Sequence, residues 1–105
     1  MTGWNPRRMT QYDKGRRAEY RARDELLKQG PYHSVLRMAG SHGHADLVAV
    51  GERSVKFVQV KSTVKDKPSY RAEIDALREW PVPDNCEKEL WIWLKQKRAW
   101  VIVPC

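Results

Sequence analysis

The sequence predicts an α/β domain in which helices flank a mixed central sheet, with the element order αβββαββ. Two amphipathic segments with apolar residues at helical spacing indicate the helices. Five short runs rich in β-branched and aromatic residues indicate the strands. A chain of 105 residues has room for one such domain with a single modest core.

The first helix is predicted over residues 13–29, because a glycine and a proline follow it. Its inward face carries Ala18, Ala22 and Leu26, which recur every fourth residue. Glu19 falls beside them on that face. A carboxylate on the buried side of a helix needs a partner or a function.

The later elements follow from turn residues and strand periodicity. Polar or glycine-containing stretches separate the apolar runs, and Ser69 is placed to cap the second helix. The predicted elements are strands over 33–38, 46–50 and 54–62, a helix over 70–80, and strands over 90–94 and 99–103. We assign residues 1–12 to a flexible basic arm and 13–105 to one domain.

A group of polar residues lies on the second and third predicted strands. Asp46 opens the second strand, and the third strand carries Gln59 and Lys61 in alternation with Val58 and Val60. Because side chains alternate along a strand, we expect the glutamine and the lysine to share one face while the valines fill the core. Taken singly, these residues also fit a turn aspartate and an ordinary solvated strand face.

Oxygen donors in this group suit a hard divalent cation. The candidate ligands are Asp46, the Gln59 side-chain carbonyl, the Val60 backbone carbonyl and Glu19. A bound cation would polarise a scissile phosphate and help to generate hydroxide. Lys61 would orient the attacking water or neutralise charge on the phosphate oxygens. An ion pair with an arginine is the alternative for Glu19.

A competing metal site lies just before the second strand. His42, His44 and Asp46 alternate there and offer two imidazoles and a carboxylate. No further histidine or cysteine lies nearby. We therefore favour histidines that contact phosphate or stay solvated.

Charge and hydropathy restrict the partners. Twenty Lys and Arg against thirteen Asp and Glu leave a net charge of +7, which suits a polyanion. No apolar run approaches the roughly 20 residues of a membrane span, and the N-terminus lacks a signal-peptide pattern. We expect a soluble cytoplasmic protein with no membrane partner and with Cys86 and Cys105 as free, reduced thiols.

Four local motifs resemble the archaeal-type, Hjc-like Holliday junction resolvases, a branch of the PD-(D/E)XK nuclease superfamily that also occurs in viruses. They cover roughly half of the chain and keep the family's order and spacing. The motifs are Lys14-Gly-Arg-Arg-Ala-Glu19, Val35-Leu-Arg-Met-Ala-Gly-Ser41, Asp46-Leu-Val-Ala-Val50 and Val58-Gln-Val-Lys-Ser-Thr63.

The resemblance implies a restriction-endonuclease-like fold and a crossover junction endodeoxyribonuclease of DNA recombination and repair. Such enzymes are magnesium-dependent homodimers that nick two opposing strands of a four-way DNA junction symmetrically, and we expect manganese to substitute. The implied catalytic positions are Glu19, Asp46, Gln59, Lys61 and Ser41, with Arg37 and Ser41 near the phosphate. Gln59 stands where a glutamate is usual, and Tyr20 where many relatives have an arginine.

Two further sets of residues are predicted to contact partners. Candidates for contacts with branched DNA are basic and polar side chains on the arm, the first helix, the stretch before Asp46 and the later loop. They are Arg7, Arg8, Lys14, Arg16, Arg17, Arg37, Ser41, His42, Lys65, Lys67 and Arg71. Apolar residues of the second helix and the last strands are candidates for the dimer face, with the core as the alternative for each: Tyr70, Ile74, Leu77, Trp80, Trp91 and Trp93.

Three hypotheses about function follow. The first is metal-dependent resolution of four-way junctions by paired symmetric nicking. The second is a nuclease of the same superfamily that acts on linear or flap DNA. The third is a junction-binding module that is catalytically silent because of Gln59, whether that glutamine is natural or was introduced to trap an inactive enzyme.

Overall fold

The computed structural model describes residues 11–38 and 44–105, and these form seven elements in the predicted order. The elements are α1 (Gln11–Gln29), β1 (Tyr32–Arg37), β2 (Leu47–Gly51), β3 (Val55–Thr63), α2 (Arg71–Glu79), β4 (Cys86–Leu94) and β5 (Ala99–Pro104). The strands form one sheet in the order β1-β2-β3-β4-β5. β3 and β4 are parallel and the other neighbours are antiparallel, which confirms the predicted mixed sheet.

Helix α1 covers one face of the sheet. Its residues Ala22 and Leu26 are 0% exposed and belong to the same buried cluster as Val58 and Val60 of β3. Trp91 of β4, also 0% exposed, completes the centre of this cluster. The prediction that the two valines fill the core is therefore confirmed.

Helix α2 covers the opposite face. Leu77 of α2 packs there in a second buried cluster with Leu90, Ile92 and Leu94 of β4. These three residues of β4 alternate with Trp91, so β4 contributes to both cores. The sheet is thus a central layer between two helices, and α2 is the crossover that joins the parallel strands β3 and β4.

Strand β4 is longer than predicted, because it begins at Cys86 and not at residue 90. Its first half is rich in charge, which hides the strand from a search for apolar alternation. The charges are satisfied by partners in the fold: Lys56 Nζ lies 3.1 Å from Glu89 Oε1, and Lys88 Nζ donates to the carbonyl oxygen of Trp80 at 2.7 Å. Parallel pairing of β4 with β3 therefore continues through this polar stretch.

The Lys56–Glu89 pair is partly enclosed between the sheet and its neighbours. Both side chains are 13% exposed, and the Trp91 indole Nε1 also donates to Glu89 Oε1 at 2.9 Å. Burial lowers the pKa of Lys56. The hydrogen bond and the negative charge of Glu89 raise it, and Tyr32 and Glu87 add smaller contributions in the same direction. Together these interactions outweigh burial, so the pKa of Lys56 lies above its ordinary value.

The capping prediction for the second helix is wrong. Tyr70, not Ser69, occupies the N-cap position of α2, and no side chain caps the helix there. Tyr70 instead packs against the buried cluster beneath α2. Apolar burial decides where this helix begins, in place of a polar cap.

The six residues proposed for a dimer face lie on both sides of the sheet. Leu77 and Trp91 are 0% exposed and belong to the two cores, so their assignment to a dimer face is corrected. Trp93 alternates with Ile92 on β4 and therefore faces α1, because successive strand residues point to opposite faces. On the α2 side, partly buried apolar side chains remain as candidates: Tyr70, Ile74 and Trp80.

The remaining predictions concern membrane spans and the two cysteines. Neither described helix combines the length and the apolar character that crossing a bilayer requires. Cys86 and Cys105 are both free thiols, as predicted. Burial raises the pKa of the Cys105 thiol above its ordinary value.

Candidate nuclease site

Asp46 is fixed at the point where β2 begins. Its backbone N–H donates to the carbonyl oxygen of Val58, and its own carbonyl accepts from the N–H of Met38, each at 2.8 Å. Its side-chain Oδ2 accepts from the backbone N–H of Val60, also at 2.8 Å. Two backbone hydrogen bonds thus fix the Asp46 main chain, and the third holds its half-buried carboxylate against β3, just beyond the last residue that pairs with β2.

Gln59 and Lys61 flank the residue that Asp46 binds. Because Val58 and Val60 point into the core beneath α1, Gln59 and Lys61 point to the other face of β3. Both side chains are half-buried, and neither makes a hydrogen bond within the described part of the chain. The amide and the ammonium group are therefore available to a ligand.

Glu19 does not stand alone on α1. Arg37 Nε donates to Glu19 Oε1 at 2.6 Å, and the two side chains are 17% (Glu19) and 31% (Arg37) exposed. A carboxylate and a guanidinium at this distance form a charge-assisted hydrogen bond. An ion pair with an arginine was the alternative for Glu19 from the sequence, and the structure identifies Arg37 as that arginine.

The ion pair and the aspartate lie at the same end of the sheet. Arg37 is the last residue of β1 and pairs with Leu47, the residue that follows Asp46. The next residue of the chain, Met38, donates its N–H to Asp46. Glu19, through Arg37, and Asp46 thus lie at one end of the sheet, and no hydrogen bond joins the two carboxylates within the described residues.

The residues present fit a hard divalent cation. One oxygen of Asp46 is bound to the Val60 N–H, which leaves its second oxygen for a ligand. In a strand the N–H and the C=O of one residue point to the same side, so the Val60 carbonyl also points towards Asp46. With the Gln59 amide oxygen these form an all-oxygen donor set of the kind that Mg²⁺ and Mn²⁺ bind.

The donor set contains few charged groups. Among the residues that the structure describes, no three histidine, cysteine, aspartate or glutamate side chains come together. At position 59 the chain has an uncharged glutamine, whereas a glutamate there would add a second carboxylate beside Asp46. We expect a neutral ligand here to weaken the binding of a cation without removing the oxygen donor.

His44 packs against an aromatic side chain, that of Trp80. Its ring lies 5.2 Å from that of Trp80, which in turn contacts Phe57 at 4.8 Å between ring centroids. His42 lies outside the described residues, so the alternative site of His42, His44 and Asp46 stays a prediction.

The predicted DNA contacts divide into described and undescribed residues. The exposed cations are Arg16 and Arg17 on α1, Lys65 and Lys67 in the loop after β3, and Arg71 at the start of α2. Outside the described residues lie Arg7, Arg8, Ser41, His42 and the side chain of Lys14.

Tyr20 organises the charges next to the Glu19–Arg37 pair. Arg16 Nε donates to the Tyr20 hydroxyl at 3.1 Å, and the Arg23 guanidinium lies 4.9 Å from the centre of the Tyr20 ring. Tyr20 thus holds two arginines by a hydrogen bond and a cation–π contact.

A basic groove of about 270 Å³ was missed by the sequence analysis. It lies between α1, the end of β3 and the turn between β4 and β5, and we call it the basic groove. Its lining includes Arg17, Arg21, Ser62, Trp93, Lys95 and Arg98. The four-residue spacing of Arg17 and Arg21, together with the cationic turn, was the available signal, but only the fold brings the two segments together.

Comparison with known proteins supports the fold. The chain is similar to the solved structure of Hjc, a Holliday junction resolvase from the archaeal hyperthermophile Archaeoglobus fulgidus, with a TM-score of 0.68 and 29% sequence identity. The match covers 87% of this chain and 72% of that chain. No protein-family model and no curated protein matches the sequence. The mixed five-stranded sheet flanked by two helices is thus the fold of that resolvase.

Proposed function

We propose that this protein is a structure-selective endodeoxyribonuclease that resolves four-way DNA junctions by paired symmetric nicks. The observation that carries the proposal is the Asp46 carboxylate held against β3 at Val60, between Gln59 and Lys61. It is supported by the likeness in fold to a protein described as a Holliday junction resolvase. The net charge of +7 suits a DNA substrate.

Each residue of the site has a role in this proposal. Asp46, the Gln59 amide oxygen and the Val60 carbonyl hold a Mg²⁺ or Mn²⁺ ion, with Glu19 as a further ligand, directly or through water. The bound ion supplies Lewis-acid polarisation of the scissile phosphate and a more acidic water. Lys61 places its positive charge on the same strand face and stabilises the charge that develops on the phosphate oxygens.

Arg37 connects the acid on α1 to the substrate. The Arg37 side chain is 31% exposed although it is paired with Glu19, so a phosphate oxygen can reach it. We assign it, together with Ser41, to the phosphate next to the cleaved bond. Glu19 then fixes the direction in which the guanidinium points.

A homodimer belongs to this proposal, because a four-way junction presents two equivalent strands and each needs one active site. The α2 face carries the remaining candidate interface residues, Tyr70, Ile74 and Trp80. They are only partly buried within one chain.

The silent-module alternative has one observation in its favour. The described part of the chain gathers no three acidic or imidazole side chains at the site, and Gln59 beside Asp46 carries no charge. Under this alternative the chain binds junctions through its cations and cuts none. Cleavage of linear or flap DNA is the other alternative. Comparing the cutting of junction, flap and linear substrates distinguishes this alternative from junction resolution.

Labelled four-way junction, flap and linear duplex, each incubated with the protein in Mg²⁺ or Mn²⁺, test the proposal. We expect paired nicks in the junction alone, and faster nicking by Gln59→Glu because the added carboxylate strengthens metal binding. Asp46→Asn is expected to lower the nicking rate at least about 100-fold while junction binding persists. Asp84→Asn, the same change at an exposed loop position, serves as the matched control and keeps full activity.

The outcomes separate the three hypotheses. Equal cutting of linear duplex would contradict junction selectivity. Junction binding without cutting by both the parent chain and Gln59→Glu would establish the silent module. Undiminished nicking by Asp46→Asn would show that the metal site lies elsewhere.

A further inference from the structure

The charged side chains that line the basic groove in the described part of the chain are all positive. α1 contributes Arg17 and Arg21, and the turn between β4 and β5 contributes Lys95 and Arg98. No carboxylate lines it in the described part of the chain. The ion pairs of the described residues use other cations than Arg21, Lys95 and Arg98, so these three charges are available to an anion.

A row of aromatic rings holds the floor of the basic groove in place. The Arg21 guanidinium lies 4.2 Å from the centre of the Trp93 ring, a close cation–π contact. The Trp93 ring packs edge-to-face on Trp100 at 5.1 Å, and Trp100 packs in the same way on the buried Trp91 at 5.2 Å. Arg21 is therefore positioned before any ligand arrives, which reduces the entropy lost on binding.

The turn that carries the other two cations contains a conformation unusual for its residue type. Arg98 has a φ of +50°, in the left-handed region that glycine and asparagine adopt more readily. Glycine would fill this position at lower conformational cost. An arginine there gives the groove a positive charge that glycine would not supply.

The position of the basic groove relates it to the candidate nuclease site. Ser62 in the groove directly follows Lys61 on β3, and the two side chains point to opposite faces of the strand. On α1, Arg21 and Glu19 point to opposite flanks, the first towards Trp93 of β4 and the second towards Arg37 of β1. The groove thus lies beside the site but is separate from it.

We propose that the basic groove binds backbone phosphates of a DNA arm next to the strand that is cut, a proposal that rests on the proposed function. The volume of about 270 Å³ is below the roughly 300–1,000 Å³ of sites that enclose whole small molecules, so the groove suits a segment of a longer polyanion. Arginine forks and a lysine, with the Ser62 hydroxyl, are typical phosphate-binding groups. The groove contacts the backbone and reads no base sequence.

Binding in EDTA tests this without cleavage. Affinities for a labelled four-way junction and for a linear duplex are measured over a series of salt concentrations for Lys95→Gln, Arg98→Gln and Arg53→Gln. Arg53 is the matched control, because it lies in the exposed turn at the other end of β3 and its replacement removes the same charge. Arg98→Gly is a second variant that removes the charge and also suits the positive φ, so loss of folding does not explain its effect.

We expect each groove variant to lose about fivefold in affinity, roughly the share of one contact when six to ten phosphates are bound. The slope of log K against log salt concentration should fall by about 0.9 for each, and Arg53→Gln should stay within about twofold of the parent. Thermal midpoints of all variants should match the parent or, for Arg98→Gly, exceed it.

An equal loss for Arg53→Gln, or an unchanged salt slope in the groove variants, would overturn the groove proposal. A junction bound no better than the linear duplex, with the groove variants weaker on both, would contradict the proposed function and still support the groove.

Discussion

Glu19–Arg37 and Lys56–Glu89 are both ion pairs on the α1 side of the sheet, but their surroundings differ. Lys56 and Glu89 are each 13% exposed, and Glu89 also accepts from the Trp91 indole. Arg37 is 31% exposed and lies at the strand end where Asp46 begins β2. The enclosed pair makes its hydrogen bonds within the fold, whereas the open pair is more exposed and lies beside Asp46. Two ion pairs on one face of the sheet thus differ in solvent access and in neighbours, and these differences make the open pair the candidate for function.

The largest effect should come from the open pair. Glu19→Gln keeps an oxygen for Arg37 but removes the charge, and we expect the single-turnover nicking rate to fall about 100-fold or more. The free energy of unfolding should change by less than about 1 kcal/mol, because the amide still accepts a hydrogen bond. Asp24→Asn is the control on the same helix, since Asp24 also pairs with an arginine, Arg23, at 3.2 Å. A comparable loss of activity in Asp24→Asn would show that the Glu19–Arg37 pair has no special role in cleavage.

The enclosed pair should show the opposite pattern. Glu89→Ala leaves the Lys56 ammonium and the Trp91 N–H without their acceptor, and we expect a loss of about 3 kcal/mol in the free energy of unfolding. Urea denaturation measures this loss. Junction cleavage under conditions where the variant is folded should stay near the parent rate. A stable variant with impaired cleavage would show that this pair serves the site and not the fold.

The pH dependence of stability sharpens the assignment of Lys56. Its pKa is raised in the folded state, so its contribution is fully present below the ordinary value of 10.5 and is lost as pH rises through the higher folded value. As pH rises from about 9 through the ordinary value of 10.5 and beyond it, we expect the parent chain to lose more stability than Lys56→Met. Thermal denaturation of both proteins across this range measures the difference. Parallel stability curves would contradict the assignment.

The smallest effect should come from the exposed Arg23–Asp24 pair. Its side chains are 40% and 70% exposed, and solvent screens the attraction between them. We expect Asp24→Asn to change the free energy of unfolding by no more than about 0.5 kcal/mol. A loss equal to that of Glu89→Ala would mean that exposure does not separate structural ion pairs from surface ones in this protein.

The elements that were predicted well carry a clear apolar pattern. The four-residue repeat of alanine and leucine located α1, and the alternating valines located β3 and the direction of Gln59 and Lys61. The start of β4 was missed because Glu87, Lys88 and Glu89 conceal a strand in which Glu89 pairs with Lys56 and Lys88 donates to a backbone carbonyl of Trp80. Local pattern does not report partners that are distant in sequence.

The arrangement of the candidate site was predictable to the same degree. The proximity of Asp46 to Gln59 and Lys61 followed from spacing, since Asp46 directly precedes β2 and the other two lie on the neighbouring strand β3. The Glu19–Arg37 ion pair and the basic groove depend on how α1 is placed against the sheet, which periodicity does not give. Tryptophans that looked alike in sequence also divided between core and groove, because their depth depends on the helix above them.

The parallel contact between β3 and β4 bears on the order in which the protein assembles. β1, β2 and β3 pair as successive antiparallel neighbours, so their contacts close short loops, whereas the pairing of Val55 with Cys86 must await the α2 crossover. The hydrogen bond from Val60 to Asp46 lies wholly within the early meander. The basic groove needs α1, β3 and the β4–β5 turn together. We therefore expect a nascent or partly folded chain to hold Asp46 against β3 before the basic groove forms.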